Sequence, residues 1–254
     1  MSEGVHFIPV RGLPEVEPGA DLAALIAAAL AAQPLALHTH DVLVVAQKVV
    51  SKAEGRFVEL DGVSPSEKAQ RLAQVTGKDP RIVELILGET DEVVRAAPRV
   101  LIVRHRLGFV MANAGVDRSN VPAVPTERAL LLPRNPDASA AELRHRLVQR
   151  LGAEIAVIVS DSFGRPWRRG VQNVALGSAG LPSLIDRRGE RDREGRTLEV
   201  TEVAFADAIA AGAALVMGEA SESTPVVLVR GLEWQAPERD ASALLRPKAE
   251  DLFR

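Results

Sequence analysis

The chain has no cysteine and no tyrosine, and aromatic residues make up only 3% of it. Without cysteine there can be no disulfide, no thiolate nucleophile and no zinc site of the Cys type. So few aromatics cannot build the stacking platforms that hold single-stranded nucleic acid. Neither charge sign dominates: 31 Lys and Arg stand against 34 Asp and Glu, a net of −3. A polyanion finds no general attraction here, and any anion must be met by a local cluster. The start, Met1-Ser2-Glu3-Gly4-Val5-His6, lacks the basic residues and apolar run of a signal peptide. The longest apolar stretch, Leu22–Leu37, is interrupted by Gln33 and Pro34. It falls short of the ~20 apolar residues that span a bilayer. These absences predict a cytoplasmic protein that binds neither nucleic acid nor membrane.

Familiar site signatures are missing too. There is no G-x-x-x-x-G-K-[ST] loop, no G-x-G-x-x-G after a strand and no G-x-S-x-G elbow. A nucleotide, if bound, must be held by another architecture.

What is present is ordinary globular composition: 254 residues, 46% hydrophobic and 26% charged. Val5–Val10 reads as a strand, and Asp21 as the cap of a helix carrying Leu22, Leu25, Ile26, Ala29 and Leu30. Asp41–Val50 reads as one β-rich run, with Gln47 and Lys48 pointing to opposite faces. A helix is predicted from Ser64-Pro65-Ser66-Glu67, with proline just inside its start, and another over Pro80–Leu87. Arg99–His105 and Phe109–Ala112 form a hairpin about Leu107-Gly108, and Ala129–Leu132 is a short strand. Ser139–Leu151 is an amphipathic helix, Ile155–Ser160 a buried strand and Val171–Leu176 another. Arg187–Arg196 is an exposed loop before an Ala-rich helix ending near Met217, and Pro225–Arg230 is the last strand. Mixed order with hairpins, and no strict βαβ alternation, predicts an α+β fold with mixed and antiparallel sheets. A single domain over 1–254 is expected, with a subdomain boundary in Pro122–Pro136 and a charged tail from Gln235.

The chemistry concentrates in Asp161–Gly170, read as Asp-Ser-Phe-Gly-Arg-Pro-Trp-Arg-Arg-Gly. Asp161 follows a buried strand, Asp117 follows the hairpin, and Glu219 follows the Ala-rich helix. Such rigid ends suit the presentation of carboxylates, and hard divalent ions prefer oxygen donors such as these and the Ser162 hydroxyl. Singly, Asp117 and Asp161 could equally close turns. Arg165, Arg168 and Arg169 supply guanidinium groups for phosphate or carboxylate, and Trp167 reads as packing. Lys52, in Ser51-Lys52-Ala53-Glu54-Gly55, could meet a phosphate as a point charge.

Several blocks occur in order: Arg11–Pro14, Val49–Arg56, Asn113–Asn120, Asp161–Arg168, Met217–Glu219 and Val227–Gly231. This succession, from about Phe7 to Leu232, closely resembles the coenzyme F420-0:L-glutamate ligases, which attach glutamate to a deazaflavin coenzyme. The resemblance implies a homodimeric, GTP-dependent amide ligase that uses Mg2+ or Mn2+, two ions in all, together with K+. By position, Asp117 and Asp161 resemble ligands of one ion, and Ser162 and Glu219 ligands of a second. Leu13, Pro14, Glu15, Val16, Gln47, Lys48, Lys52, Asn120, and Met217, Gly218, Glu219, Ala220, Ser221, Glu222, Ser223 and Thr224 resemble the guanine-nucleotide contacts. Ser162 stands where the family often has threonine and keeps its hydroxyl. No fused nitroreductase-like domain, found in some relatives, is expected in this chain. The substrates implied are GTP, L-glutamate and F420-0 or a related deazaflavin precursor. Lys52 is the implied phosphate contact; charge and position suggest Arg165, Arg168 and Arg169 for an acidic substrate. Two other classes fit the same residues: a metal-dependent phosphatase or nucleotide hydrolase, and a non-catalytic nucleotide-binding protein.

Overall fold

The computed structural model describes residues 4–119 and 126–251. Asn120 and much of the expected subdomain boundary, residues 122–125, lie outside the described residues. The first half of the chain contributes β1 (His6–Pro9), α1 (Leu22–Ala31), β2 (Val42–Ala46), α2 (Gln47–Ala53), β3 (Phe57–Glu59), α3 (Glu67–Thr76), α4 (Pro80–Gly88), β4 (Thr90–Ala97), β5 (Val100–His105) and β6 (Val110–Ala112). The second half contributes β7 (Arg128–Leu130), α5 (Pro136–Leu151), β8 (Ala156–Arg165), β9 (Arg168–Ala179), β10 (Leu184–Asp186), β11 (Glu202–Ala204), α6 (Phe205–Met217) and β12 (Val226–Arg230).

Unbroken apolar runs make central strands because both of their faces can be covered. On β2, Leu43 and Val45 pack with α1 and α5, while Val42 and Val44 pack with α6. Val157 and Val159 against Ala156 and Ile158 divide β8 in the same way. The result is a five-stranded sheet in the order β1-β12-β2-β8-β9 with helices on both faces. Only its β2–β8 pair is parallel; its other neighbours are antiparallel. The α+β class expected from the sequence holds. Gly177 lets β9 pass under the start of α5, since a Cβ there would lie 2.1 Å from the Pro136 carbonyl. Among the described residues no helix is long and apolar enough to cross a membrane.

Between α2 and α5 the chain builds a second lobe with its own core, including Leu60, Val83, Ile86, Leu101 and Val103. There α3 and α4 accompany the three-stranded sheet β4-β5-β6 and the pair β3–β7. Asp79 caps α4 by accepting from the Arg81 N–H at 2.8 Å, and Pro80 takes the first turn, where its missing N–H costs nothing. Ser66 caps α3, so Pro65 lies outside that helix rather than inside it. A serine hydroxyl can accept from the first-turn amides and proline has none to offer.

Three segments of the second lobe meet around Glu89. Its carboxylate receives Arg56 Nη2 at 3.2 Å and Arg106 Nε at 3.0 Å, with His105 Nε2 3.3 Å away. Leu107 N–H donates to His105 Nδ1 at 2.9 Å, which leaves the ring proton on the nitrogen facing Glu89. Glu54, just past α2, accepts from Arg134 N–H at 2.9 Å and from Ser139 Oγ at 2.6 Å. Glu54 of the sequence block Val49–Arg56 therefore ties the end of α2 to the start of α5, and Arg56 anchors the second lobe within itself.

Three further local readings change. The β-rich run stops at Ala46, and Gln47 to Ala53 are helical. Val49 and Val50 reach the core from α2, and that burial outweighs their β-branched preference. The strand expected to end at Ser160 continues to Arg165, pairing with β9 throughout, so Asp161 lies within β8. Trp167, expected to pack, sits at the hairpin turn with φ +63° and is 88% exposed.

Candidate functional site

Four strands of the main sheet deliver their ends to one edge. β1 and β2 finish there, β12 begins there, and β8 runs beyond: Ala46 is the last β2 residue and pairs with Ser160. Asp161 is thus the first β8 residue past the end of its parallel neighbour. Binding at the carboxyl ends of parallel strands follows from this kind of layout, because the loops diverge and leave a crevice. The crevice here has a volume of about 410 Å3. It is lined by Leu13–Val16 after β1, Gln47, Lys48 and Lys52 of α2, Asp161 and Ser162 of β8, and Met217–Thr224 before β12. Residues 211 positions apart in sequence, Leu13 and Thr224, meet in it.

Lys48 joins the two lobes at this edge. Its Nζ lies 2.7 Å from Asp117 Oδ2 and donates to Ser119 Oγ, also at 2.7 Å. Asp117 accepts from Ser119 N–H at 2.7 Å and from its hydroxyl at 2.8 Å, an Asx-type turn. Its backbone is bridged to Leu130 of β7. Turn closure and presentation toward the site thus coexist in one carboxylate. Burial opposes ionisation of Asp117, but the hydrogen bonds from Lys48 and Ser119 outweigh it and hold its pKa below the ordinary value.

Asp161 is shifted the other way. Burial is the main cause, and the neighbouring carboxylates of Asp117 and Glu219 add to it. Against them act the Ser162 N–H and the charge of Lys48, and the outcome is a pKa of about 7. A carboxyl group in that state is short of positive charge. Lys52 is buried and forms an ion pair with Glu15 across the crevice wall. At Gly218 the backbone has φ +73°, and a Cβ there would fall 2.1 Å from the Glu222 carboxylate carbon. Only glycine allows the loop to close so tightly. Glu222 accepts from Ala220 N–H at 2.8 Å.

The arginines are elsewhere. Arg165, Arg168 and Arg169 stand where β8 and β9 leave the sheet as a two-stranded ribbon, and none lines the crevice. Arg165 is tied to Gln172 and to the Arg169 carbonyl; Arg168 and Arg169 are exposed. The sequence reading missed Asn173, which lines the crevice from β9 opposite Ser162. Its residue type offers little signal, because β9 also carries Arg168, Arg169, Gln172 and Ser178.

Among the described residues, no three His, Cys, Asp or Glu side chains are gathered into a set that could hold an ion by themselves. Magnesium-type sites rarely need one, since one or two carboxylates suffice when waters and substrate phosphates complete the shell. The oxygen donors Asp161, Ser162 and Glu219, with Asp117 near, fit that kind of ion, and the elevated Asp161 group is the observation that favours it.

Comparison with known proteins follows the same residues. The family model described as F420-0:Gamma-glutamyl ligase matches residues 12–231. The Coenzyme F420:L-glutamate ligase of Methanothermobacter thermautotrophicus is 46% identical over 253 residues, covering 99% of both chains. That of Methanopyrus kandleri is 48% identical over 245 residues and 94% of each chain. The Archaeoglobus fulgidus protein of the same name is 42% identical, covering 98% of this chain and 96% of its own. With the match running from the first crevice segment through the last strand, the chain belongs to the F420-0:gamma-glutamyl ligase family.

Proposed function

We propose that this chain is a GTP-dependent ligase that joins L-glutamate to coenzyme F420-0 or a closely related deazaflavin acceptor. The observation that carries the reading is the meeting of four distant segments, Leu13–Val16, Gln47 to Lys52, Asp161–Ser162 and Met217–Thr224, around one crevice. The names of the relatives support the ligase class, and the crevice supports a nucleotide with its phosphates. The working form is a homodimer, to be tested by sedimentation.

A carboxylate resists attack by an amine, because its charge repels the nucleophile and oxide is a poor leaving group. In the proposed route an acceptor carboxylate oxygen attacks the γ-phosphorus of GTP and GDP leaves. The glutamate amine then attacks the acyl carbon of the resulting acyl phosphate, loses a proton, and phosphate departs. Such transfer asks the protein chiefly for positioning and charge stabilisation. Asp117 and Asp161 would hold one Mg2+ or Mn2+, and Ser162 and Glu219 a second, with K+ as a monovalent partner. Bound there, divalent ions supply charge neutralisation for phosphate oxygens. Lys52 would exchange its Glu15 partner for a phosphate, and Gln47 and Lys48 would line the nucleotide's path. Arg165, Arg168 and Arg169 would meet the acidic acceptor or the incoming glutamate from the ribbon.

Purified protein incubated with GTP, Mn2+, L-glutamate and F420-0 should yield a product heavier by one or more glutamyl units by mass spectrometry. Phosphate release that ignores glutamate would instead indicate a hydrolase. Tight GTP binding with no turnover of any acceptor would indicate a binding protein.

A further inference from the structure

Asn173 is a costly residue for its position. It lies within β9, only 6% exposed, where a β-branched side chain would satisfy the strand better. Its Nδ2 faces the Met217 sulfur at 3.6 Å, a weak acceptor, and its Oδ1 is buried with no hydrogen-bond partner among the described residues. The thioether settles which end is which, because it can accept from the amide nitrogen but gives nothing to an oxygen. A buried acceptor without a donor destabilises the fold unless something else meets it.

The surroundings indicate what does. Asn173 pairs in register with Ser162, so their side chains share a face of the β8–β9 ribbon, and both line the crevice. Among the described residues no arginine or lysine donates to Oδ1. Asp161 and Glu219 line the same crevice, and carboxylate charges brought together repel one another. Another carboxylate would add to that repulsion, whereas an amide oxygen offers a hard donor with no charge.

We propose that Asn173 Oδ1 is a neutral oxygen ligand of the divalent ion held beside Ser162 and Glu219. The proposal rests on the metal-dependent reading above and extends it to a residue outside the set of four metal ligands. The side chain is then a metal ligand in its own right, and its unmet acceptor in the free protein is the cost of keeping that position ready.

Titration of the full chain with Mn2+ alone, following free ion by electron paramagnetic resonance, separates the possibilities. N173A should weaken one class of bound Mn2+ about tenfold, while N173D keeps that class near wild-type affinity. The melting temperature of metal-free N173A should equal or exceed that of the wild type, because an unpaired acceptor has gone; a merely structural asparagine would lower it. Wild-type affinity in N173A, or equal loss in N173D and N173A, overturns the role of Asn173 and leaves the metal site standing. Absence of Mn2+ binding by the wild-type protein overturns both.

Discussion

Glu89 and Asp161 are both carboxylates withdrawn from water, and the protein treats them oppositely. Burial alone would raise Glu89, yet His105, Arg106 and Arg56 surround it and bring its pKa down to about 2. Burial raises Asp161 as well, but its nearest company includes Asp117 and Glu219, and it rises to about 7. One acid is surrounded by cations from the chain; the other has only the charge of Lys48 set against two carboxylates. The difference separates a clasp from a site. Glu89 joins β4 and β5 to the segment after α2, so its charge is spent on holding the second lobe together. Asp161 stands at the crevice wall in need of positive charge that a divalent ion would bring.

Removing the charge at each position should therefore have opposite consequences. Asp161→Asn should reduce glutamate transfer by at least about a hundredfold, measured by product mass, while raising the melting temperature of the metal-free protein by a few degrees. A lowered melting temperature would make Asp161 a second clasp. Glu89→Gln leaves cationic groups without their partner, a loss of about 3 kcal/mol, or roughly 6–12 °C for a chain of this size. Turnover well below the melting point should stay near wild type. Severe loss of activity without loss of stability would blur the distinction.

Acid titration sharpens it. Glu89 titrates at about 2 when folded against an ordinary 4.5, so its stabilisation is complete above 4.5 and is lost as pH falls toward 2. Asp161 titrates at about 7 when folded against an ordinary 3.8, so its contribution weakens the metal-free fold as pH rises from 3.8 to 7. Unfolding free energy of the metal-free protein should fall across that upper window by up to about 1.4 kcal/mol per unit, and Asp161→Asn should flatten the slope there. Glu89→Gln should flatten the lower window instead. The smallest effect is expected at the ribbon. Arg168→Ala and Arg169→Ala should leave Mn2+ binding unchanged and raise the KM of the acidic acceptor about two- to fivefold; no change in any KM would remove these arginines from substrate binding.

The sequence made the buried strands, the capped helices and the blocks of the crevice legible, because periodicity, caps and glycines act locally. Asp21 accepts from Ala24 N–H at 2.9 Å as a helix cap, as its position suggested. What could not be read depended on contacts made far along the chain. Val49 and Val50 look like strand residues, and only the core around α1 and β8 makes them helical. The polar end of β8 lacks an apolar pattern because it pairs with β9 away from the helices. Trp167 suggested burial by its chemistry, but the turn between those strands places it in solvent. The convergence of Asp117 with Lys48 needed the second lobe to fold back on α2, and no spacing rule encodes that. Asn173 is not legible because an amide beside Gln172 in a mixed strand carries no pattern; its meaning lies in the serine across the ladder.

The most direct test is calorimetric titration of GTP into wild-type and Asp161→Asn protein, each with and without Mn2+. Strong Mn2+-dependent binding by the wild type, lost in Asp161→Asn while the variant stays folded, is the predicted result. Equal GTP affinity with and without Mn2+, or a variant that keeps the full Mn2+ dependence, would contradict the assignment of this crevice as a metal–nucleotide site.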